Sequence, residues 1–180
     1  LFLAGLVRPL GTWAAERSAE GLVVLYDFRL AKGGIVRDRS GAGQPLDLTI
    51  ENLKNVRRSE GALEVRGQTL IRSDMPADKV FKAVRRSGEI TIEAWVRPAN
   101  AKQDGPARMV TLSGGSSERN FTLGQEGDKV DVRLRTTKTS ENGIPSLNSP
   151  GRSLAPRLTH IVYTRNRGGR ARIFLSGKQQ

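Results

Sequence analysis

Carboxylates, one histidine and one tryptophan in the middle of the chain are the residues whose types and spacing could do chemistry. Glu89 and Glu93 lie four residues apart in an alternating segment, so they share one face of a predicted strand. Glycoside hydrolysis needs two carboxyl groups at a defined separation, one as acid and one as nucleophile or base. His160 is the only histidine, so a histidine-dependent triad would have to use it.

His160 lacks the sequence context that nucleophilic catalysis requires. No serine stands in a Gly-x-Ser-x-Gly pattern, and Ser113-Gly114-Gly115-Ser116 has the wrong spacing. The stretch Gly114-Gly115-Ser116-Ser117 resembles a phosphate cradle, but a strand follows it, so no helix N-terminus is predicted there to receive an anion. We therefore predict a structural histidine, a plain loop, no catalytic residue and no enzyme activity.

Composition restricts the metal chemistry. The absence of cysteine excludes disulfides and thiolate zinc sites, and a single histidine excludes a multi-histidine site. Calcium takes about six to eight oxygen ligands, which loops rich in Asp, Asn and Gly can supply. The candidate ligands form no recognisable string: Asp27, Asp38, Asp104, Asn120, Asp128 and Asn142. Calcium therefore stays open and unassigned, and no other cofactor is predicted.

The chain is strongly basic, with 30 Lys and Arg against 18 Asp and Glu in 180 residues and a formal net charge of +12. Such an excess can attract nucleic acid, acidic polysaccharide or a phospholipid surface. The charges form only short doublets and a loose cluster from Arg165 to Arg172. Arg133 and Arg135 alternate with apolar residues and are predicted to form a solvated strand face. We expect a generally basic surface rather than a dedicated anion site, and no nucleic-acid partner.

Short apolar runs between 20 glycines and 8 prolines favour many strands over long helices. Gly21–Phe28 is almost continuously apolar and predicts a buried strand, whereas Ile90–Val96 alternates with a period of two. Met75–Arg86 is the one predicted helix, with Asp74 as its cap and Gly88 at its end. These elements would position the candidate residues.

The remaining apolar runs predict short strands separated by turn residues, a layout typical of a β-sandwich. Gly61–Val65 and Thr69–Ile71 are predicted to pair across a turn at Arg66-Gly67-Gln68. The other predicted strands are Leu46–Ile50, Arg108–Ser113, Asn120–Gln125, Lys129–Thr136, Leu158–Arg165 and Arg170–Ser176.

Taken in order, these segments resemble a LamG-like (laminin G-like) jelly-roll domain of the concanavalin A-like lectin/glucanase superfamily. The resemblance implies an all-β fold, an antiparallel β-sandwich with one short helix. Ser176-Gly177 stands where such domains have Asp-Gly, so a turn role is kept without a carboxylate. The matching segments are Leu22–Phe28, Asp38–Gly41, Ala62–Val65, Ile90–Pro98, Thr159–Thr164 and Arg172–Gly177.

The resemblance also bears on function. The glucanase branch places carboxylates at alternate positions on one strand, but Thr91 stands between Glu89 and Glu93. The chain is therefore expected to be a non-catalytic recognition module for a glycan or protein ligand. The alternatives are a structural spacer that binds no ligand and, less favoured, a glucanase-like hydrolase. The expected ligand-binding residues are Trp95, Arg119, Asn120 and Asn142.

Two roles can be predicted for the Trp95 side chain. Lectin-like sandwiches can use such a residue as a stacking plate for a sugar. Packing between sheets is the commoner use, because tryptophan buries a large apolar area.

The two ends of the chain suggest its setting. Residues 1–20 are predicted to be a signal-peptide remnant or linker, because the apolar run Leu1–Val7 is too short to span a bilayer. Residues 21–180 are predicted to be the LamG-like domain. It is expected to be truncated at its C-terminal end, since the turn Ser176-Gly177-Lys178 leaves no partner strand. We expect a secreted, periplasmic or cell-surface location, other domains in the same polypeptide and no stable membrane span.

Overall fold

The computed structural model describes residues 19–29 and 32–180. They fall into two compact units, one ending at Val80 and the other running from Phe81 to Gln180. Regular structure in the described part of the chain is mostly strands in antiparallel sheets, with a single α-helix, α1 (Asp78–Ser87). The predicted all-β class with one short helix is confirmed. The apolar run of the predicted signal-peptide remnant lies outside the described residues.

The first unit contains a three-stranded sheet and a hairpin. The sheet has the order β1-β2-β5, and Val36 and Ile50 are its buried core residues. The hairpin pairs β3 with β4 after a short 3-10 helix at Leu53–Asn55. These strands are β1 (Ile35–Val36), β2 (Leu48–Ile50), β3 (Val56–Ser59), β4 (Ala62–Val65) and β5 (Ile71–Arg72).

The predicted pairing of Gly61–Val65 with Thr69–Ile71 is wrong. β4 instead pairs with β3, with Ser59 opposite Ala62, and β5 pairs with β2. Gly61 has a φ of 73°, a left-handed conformation that glycine adopts without a steric penalty. The tight turn therefore forms on the N-terminal side of β4 rather than at Arg66-Gly67-Gln68.

The predicted buried strand at Gly21–Phe28 is also wrong. This segment contains no regular strand, and Leu22–Phe28 is half-buried. Its backbone groups bond to a loop instead of a sheet. The Leu25 N–H donates to Asp38 Oδ1 at 3.1 Å, and the Leu25 carbonyl accepts from the Arg39 N–H at 2.8 Å. Apolar composition gave the segment partial burial, but the backbone N–H and carbonyl of Leu25 bond to this loop and not to a neighbouring strand.

Asp38 organises that loop. Its carboxylate is 1% exposed and forms an ion pair with Lys79. It also accepts the backbone N–H groups of Leu25, Ser40 and Leu46 at 3.1, 3.0 and 3.0 Å. Burial alone would raise the pKa of Asp38, but the Lys79 ammonium and these three amides outweigh burial and hold that pKa well below its usual range.

Helix α1 starts later than predicted. It begins at Asp78, because Asp74 does not cap it and instead accepts a hydrogen bond from Thr49 Oγ1 at 2.8 Å. Its predicted end is confirmed. Gly88 has a φ of 69°, and its N–H donates to the Val84 carbonyl at 2.8 Å, as in a left-handed helix C-terminus.

The second unit contains two four-stranded antiparallel sheets. We call them the β6 sheet, of order β13-β12-β11-β6, and the β8 sheet, of order β10-β9-β8-β7. The β6 sheet is built from β6 (Ile90–Val96), β11 (Thr159–Arg165), β12 (Ala171–Leu175) and β13 (Lys178–Gln179). The β8 sheet is built from β7 (Gln103–Ser113), β8 (Arg119–Gly127), β9 (Lys129–Leu134) and β10 (Leu147–Asn148).

Alternate residues of both sheets form the core of this unit, as expected for a β-sandwich. Each such side chain contributes about 1.5–3 kcal/mol when fully buried. The buried residues are Ile92, Ile161, Tyr163, Ile173 and Leu175 in the β6 sheet and Phe121, Leu123, Val130 and Val132 in the β8 sheet. The predicted antiparallel sandwich is confirmed.

The predicted strand Ile90–Val96 is reproduced to the residue. Lys178, predicted as part of the last turn, instead begins β13 and pairs with Leu175. Ser176 and Gly177 make the turn between them, both with positive φ.

Candidate functional site

The outer face of the β6 sheet presents side chains to solvent on β6. Thr91, Glu93 and Trp95 alternate with the inward Ile92 and are all exposed. The antiparallel register places Trp95 opposite His160 on β11. Residues opposite each other on one face of a pair lie within contact distance, so this register decides which side chains meet Trp95.

Trp95 is 61% exposed, and its ring stacks on the His160 ring. The ring centroids are 4.4 Å apart and the planes differ by 15°. The interpretation of Trp95 as packing between the sheets is therefore wrong. Strand alternation turns it away from the face that carries Ile92, and only one side of the indole is covered by the imidazole.

Glu93 holds His160 in place. His160 Nε2 and Glu93 Oε1 are 3.0 Å apart, and both side chains are partly exposed. Together the three residues make a surface cluster in which a carboxylate orients an imidazole and the imidazole supports an indole. Such an arrangement offers a flat apolar plate beside polar groups, the pattern that amphipathic ligands such as sugar rings require.

The other predicted residues lie on the β8 sheet. Arg119 is the first residue of β8, and its N–H donates to the Glu141 carbonyl at 3.1 Å, next to Asn142. The Asn120 carbonyl accepts from the Arg135 N–H at 2.9 Å. The structure therefore brings Arg119, Asn120 and Asn142 together at one end of β8 and places Trp95 on the other sheet. The four residues do not form one site.

These three residues differ in their access to solvent. Asn120 is exposed, whereas Arg119 is only 7% exposed. Nε and Nη1 of Arg119 and Oδ1 of Asn142 are buried and have no hydrogen-bond partner among the described residues. Burial lowers the pKa of Arg119, and the charges of Arg133 and Arg108 lower it further against an opposing effect of Asp131.

The partners of these residues were not predicted from the sequence. Glu93 and His160 flank Trp95 only through the β6–β11 register. Arg133 was predicted to be solvated, but its side chain is 16% exposed and its Nε donates to Asp131 Oδ1 at 3.2 Å. Strand alternation was a usable signal for Glu93, since it shares a face with Trp95. No local signal indicated that Arg133 would be covered.

Calcium binding stays a prediction. Among the described residues, no group of three or more His, Cys, Asp or Glu side chains is placed to hold a metal ion. The most deeply buried of the candidate carboxylates, Asp38, is engaged by Lys79 and three backbone amides.

A shallow cavity of about 70 Å³ opens where the edges of the two sheets meet. It is far below the roughly 300–1,000 Å³ of small-molecule pockets. Its lining residues come from β10, β12 and β13 and include Leu147, Ile173 and Gln179. A ligand of this unit would bind on an open face rather than in this cavity.

Two four-stranded antiparallel sheets with an open aromatic-bearing face define a lectin-like β-sandwich. A laminin-G-type family model, described as the concanavalin A-like lectin/glucanases superfamily, matches residues 76–180. That match covers more than half of the chain, and the chain belongs to this superfamily. Neither the comparison with curated proteins nor that with solved structures found a match.

The family defines the chain as a lectin-like binding module. Laminin G-like domains are typically non-catalytic, bind ligands within larger proteins and are generally extracellular. In the part of the chain that the structure describes, no helix is long and apolar enough to cross a membrane.

Proposed function

We propose that this chain is a non-catalytic recognition module that binds a carbohydrate on the outer face of its β6 sheet, with Trp95 as the stacking plate. The observation that carries the proposal is the exposed indole of Trp95 lying flat on the His160 ring. A tryptophan that is neither buried nor packed between sheets exposes a large apolar area to water. Covering such an area is favourable for binding.

The side chains of Glu93, His160 and Trp95 are already ordered by their mutual contacts before a ligand binds. The hydrogen bond between His160 and Glu93 fixes the imidazole, and the imidazole fixes the plane of the indole. Ordering a side chain on binding costs about 0.5–1.5 kcal/mol, and a preorganised ring avoids that cost. Thr91 and Glu93 bring polar groups to the same exposed face as Trp95, where sugar hydroxyls would need partners.

Hydrolysis is not part of the proposal. The two carboxylates that share a face of this strand already have partners. Glu93 contacts His160, and Glu89 accepts the Arg167 N–H at 3.3 Å. A glycosidase needs one carboxyl free to donate a proton and another free to attack or to activate water.

The proposed setting is outside the cytoplasm: secreted, periplasmic or at the cell surface, within a larger polypeptide. The general location of laminin G-like domains supports it, together with the apolar run Leu1–Val7 that the sequence presents. A protein ligand is the second candidate for the same face.

A tryptophan fluorescence titration tests the stacking plate directly. The chain has two tryptophans, Trp13 and Trp95, so a Trp13→Phe background reports on Trp95 alone. A glycan array first selects one polysaccharide class. We expect a saturable blue shift and quench with that glycan. Isothermal titration calorimetry, which needs no tryptophan, should show at least about tenfold weaker binding for Trp95→Ala. Phe81→Ala is the matched control, because Phe81 is an exposed ring on α1.

Two results would count against this proposal, whereas loss of binding with a chelator would add a metal to the site. Equal affinities of Trp95→Ala and Phe81→Ala for the glycan would show that the ligand does not bind on the β6 sheet. A glycan array without any hit, together with an unchanged Trp95 emission, would favour the spacer.

A further inference from the structure

Three arginines lie on adjacent strands of the β8 sheet. Arg108 lies on β7, Arg119 at the start of β8 and Arg133 on β9. Burial lowers the pKa of Arg119, and the charges of Arg133 and Arg108 lower it further against an opposing effect of Asp131.

Two of these guanidinium groups share one oxygen. The Ser116 carbonyl accepts from Arg119 Nη2 at 2.8 Å and from Arg108 Nη2 at 3.1 Å. Arg108 also makes longer contacts with Ser113 Oγ and the Gly115 carbonyl, both at 3.4 Å. The Ser116 oxygen therefore marks a point from which a single oxygen atom reaches two cationic side chains.

A neutral carbonyl is a poor match for that point. Arg119 is more than nine-tenths buried, and two of its nitrogens lack an acceptor in the described part of the chain. Leaving a buried donor unsatisfied is unfavourable, and more so when the donor is charged. Guanidinium groups pair best with carboxylate, sulfate or phosphate oxygens, which accept parallel N–H bonds and neutralise the charge.

We propose that Arg108 and Arg119 form a binding site for an oxyanion group that takes the position of the Ser116 carbonyl. The loop from Ser113 to Glu118 covers the site and moves aside when the anion binds. Gly114 and Gly115 are exposed in this loop, and a Cβ on Gly115 would meet nothing within 4 Å. This site lies on a different sheet from Trp95 and does not depend on the proposed carbohydrate face.

Arginine Nε–Hε resonances of the full chain offer a direct test. Sodium sulfate is titrated against sodium chloride at constant ionic strength, because surface attraction is screened by salt whereas a specific site is not. We expect saturable shifts of a small number of Nε–Hε peaks with sulfate and none with chloride. Arg108→Gln should weaken sulfate binding at least about tenfold.

Arg170→Gln is the matched control, because it removes the same charge from the exposed turn between β11 and β12. It should bind sulfate as the wild type does. Arg119→Met should abolish the shifts and leave the thermal midpoint of the anion-free protein unchanged or higher, since a buried unpaired charge is replaced by an apolar chain. If Arg119→Met does not fold, the loss of sulfate binding in Arg108→Gln is sufficient to test the proposal.

Titrations with other anions identify the chemical class of the oxyanion. Saturation by glucuronate as well as sulfate would assign the site to carboxylate and sulfate groups of acidic ligands. Saturation by inorganic phosphate with no response to glucuronate would assign it to tetrahedral anions. Equal loss of binding in Arg108→Gln and Arg170→Gln, or equal shifts with chloride and sulfate, would overturn the proposal and leave only a basic surface. Glycan binding at Trp95 should be the same in all three arginine variants.

Discussion

At the residue scale, Asp38 is a buried carboxylate whose hydrogen bonds hold several segments together. It joins the segment containing Leu25 to the start of the chain's helix through Lys79, and only 1% of its side chain is exposed. Removing one member of a buried ion pair leaves the other charge without compensation, which typically costs more than the pair itself contributes. The stability of this loop should therefore depend strongly on a single negative charge.

Replacing that charge is the first prediction. Asp38→Asn should lower the free energy of unfolding by about 3 kcal/mol, because the Lys79 ammonium loses its partner while it stays buried. Urea denaturation at pH 7 measures the change. Asp104→Asn, at an exposed position, is the control and should differ little from the wild type. Equal midpoints for the two variants would contradict the role assigned to Asp38.

The same residue predicts a pH dependence. The pKa of Asp38 is depressed in the folded chain, so its stabilising effect is fully present above the unfolded pKa of about 3.9 and is lost as the pH falls below it. The wild type should lose stability as the pH drops from about 4 towards 2, and Asp38→Asn should lose less over that range. Parallel curves for the two proteins would show that other carboxylates dominate acid unfolding.

At the scale of elements, Gly143 connects a loop to β9. It has a φ of 71°, and a Cβ there would lie 2.7 Å from the Leu134 nitrogen and 3.0 Å from the Arg133 carbonyl carbon. Gly127, the last residue of β8, has a similar φ of 58°, but a Cβ on it would meet nothing within 4 Å. An alanine would therefore be strained by its positive φ at both positions, and only at Gly143 would it also lack steric space.

Alanine at each position separates these two effects. Gly127→Ala should cost about 1–2 kcal/mol, the usual penalty for a left-handed alanine. Gly143→Ala should cost at least about 1 kcal/mol more, because backbone atoms cannot move aside as easily as side-chain ends. Chemical denaturation of both variants measures the difference. A Gly143→Ala cost no greater than that of Gly127→Ala would show that the loop can retreat from β9.

At the scale of the whole molecule, the net charge of +12 should act on any polyanion without regard to its structure. We expect binding to polyaspartate that is measurable at low ionic strength and lost by about 0.5 M NaCl, because exposed charges are screened over a few ångströms at such concentrations. Glycan binding at Trp95 should survive the same salt, since it rests on stacking. Salt titrations of both ligands by fluorescence and light scattering compare the two. Equal salt sensitivity for the two ligands would show that glycan binding is also caused by electrostatic attraction.

The sequence by itself determined the local elements of this protein. The alternation of Ile90–Val96 specified β6 to the residue, because a period of two is produced by the backbone of a strand alone. Gly88 ends α1 for an equally local reason, because glycine adopts a positive φ without a steric penalty. The order of these short segments was enough for the sandwich class and the superfamily.

Only the tertiary structure decided which segments pair and which side chains become covered. β4 pairs with β3 rather than with the segment after it, although both choices satisfy the same local pattern. Glu93 and His160 are 67 positions apart and meet through strand register. Arg119 is buried at the start of β8, which the sequence pattern did not predict. Pairing and burial depend on packing free energies summed over distant parts of the chain, whereas periodicity reports only on neighbours.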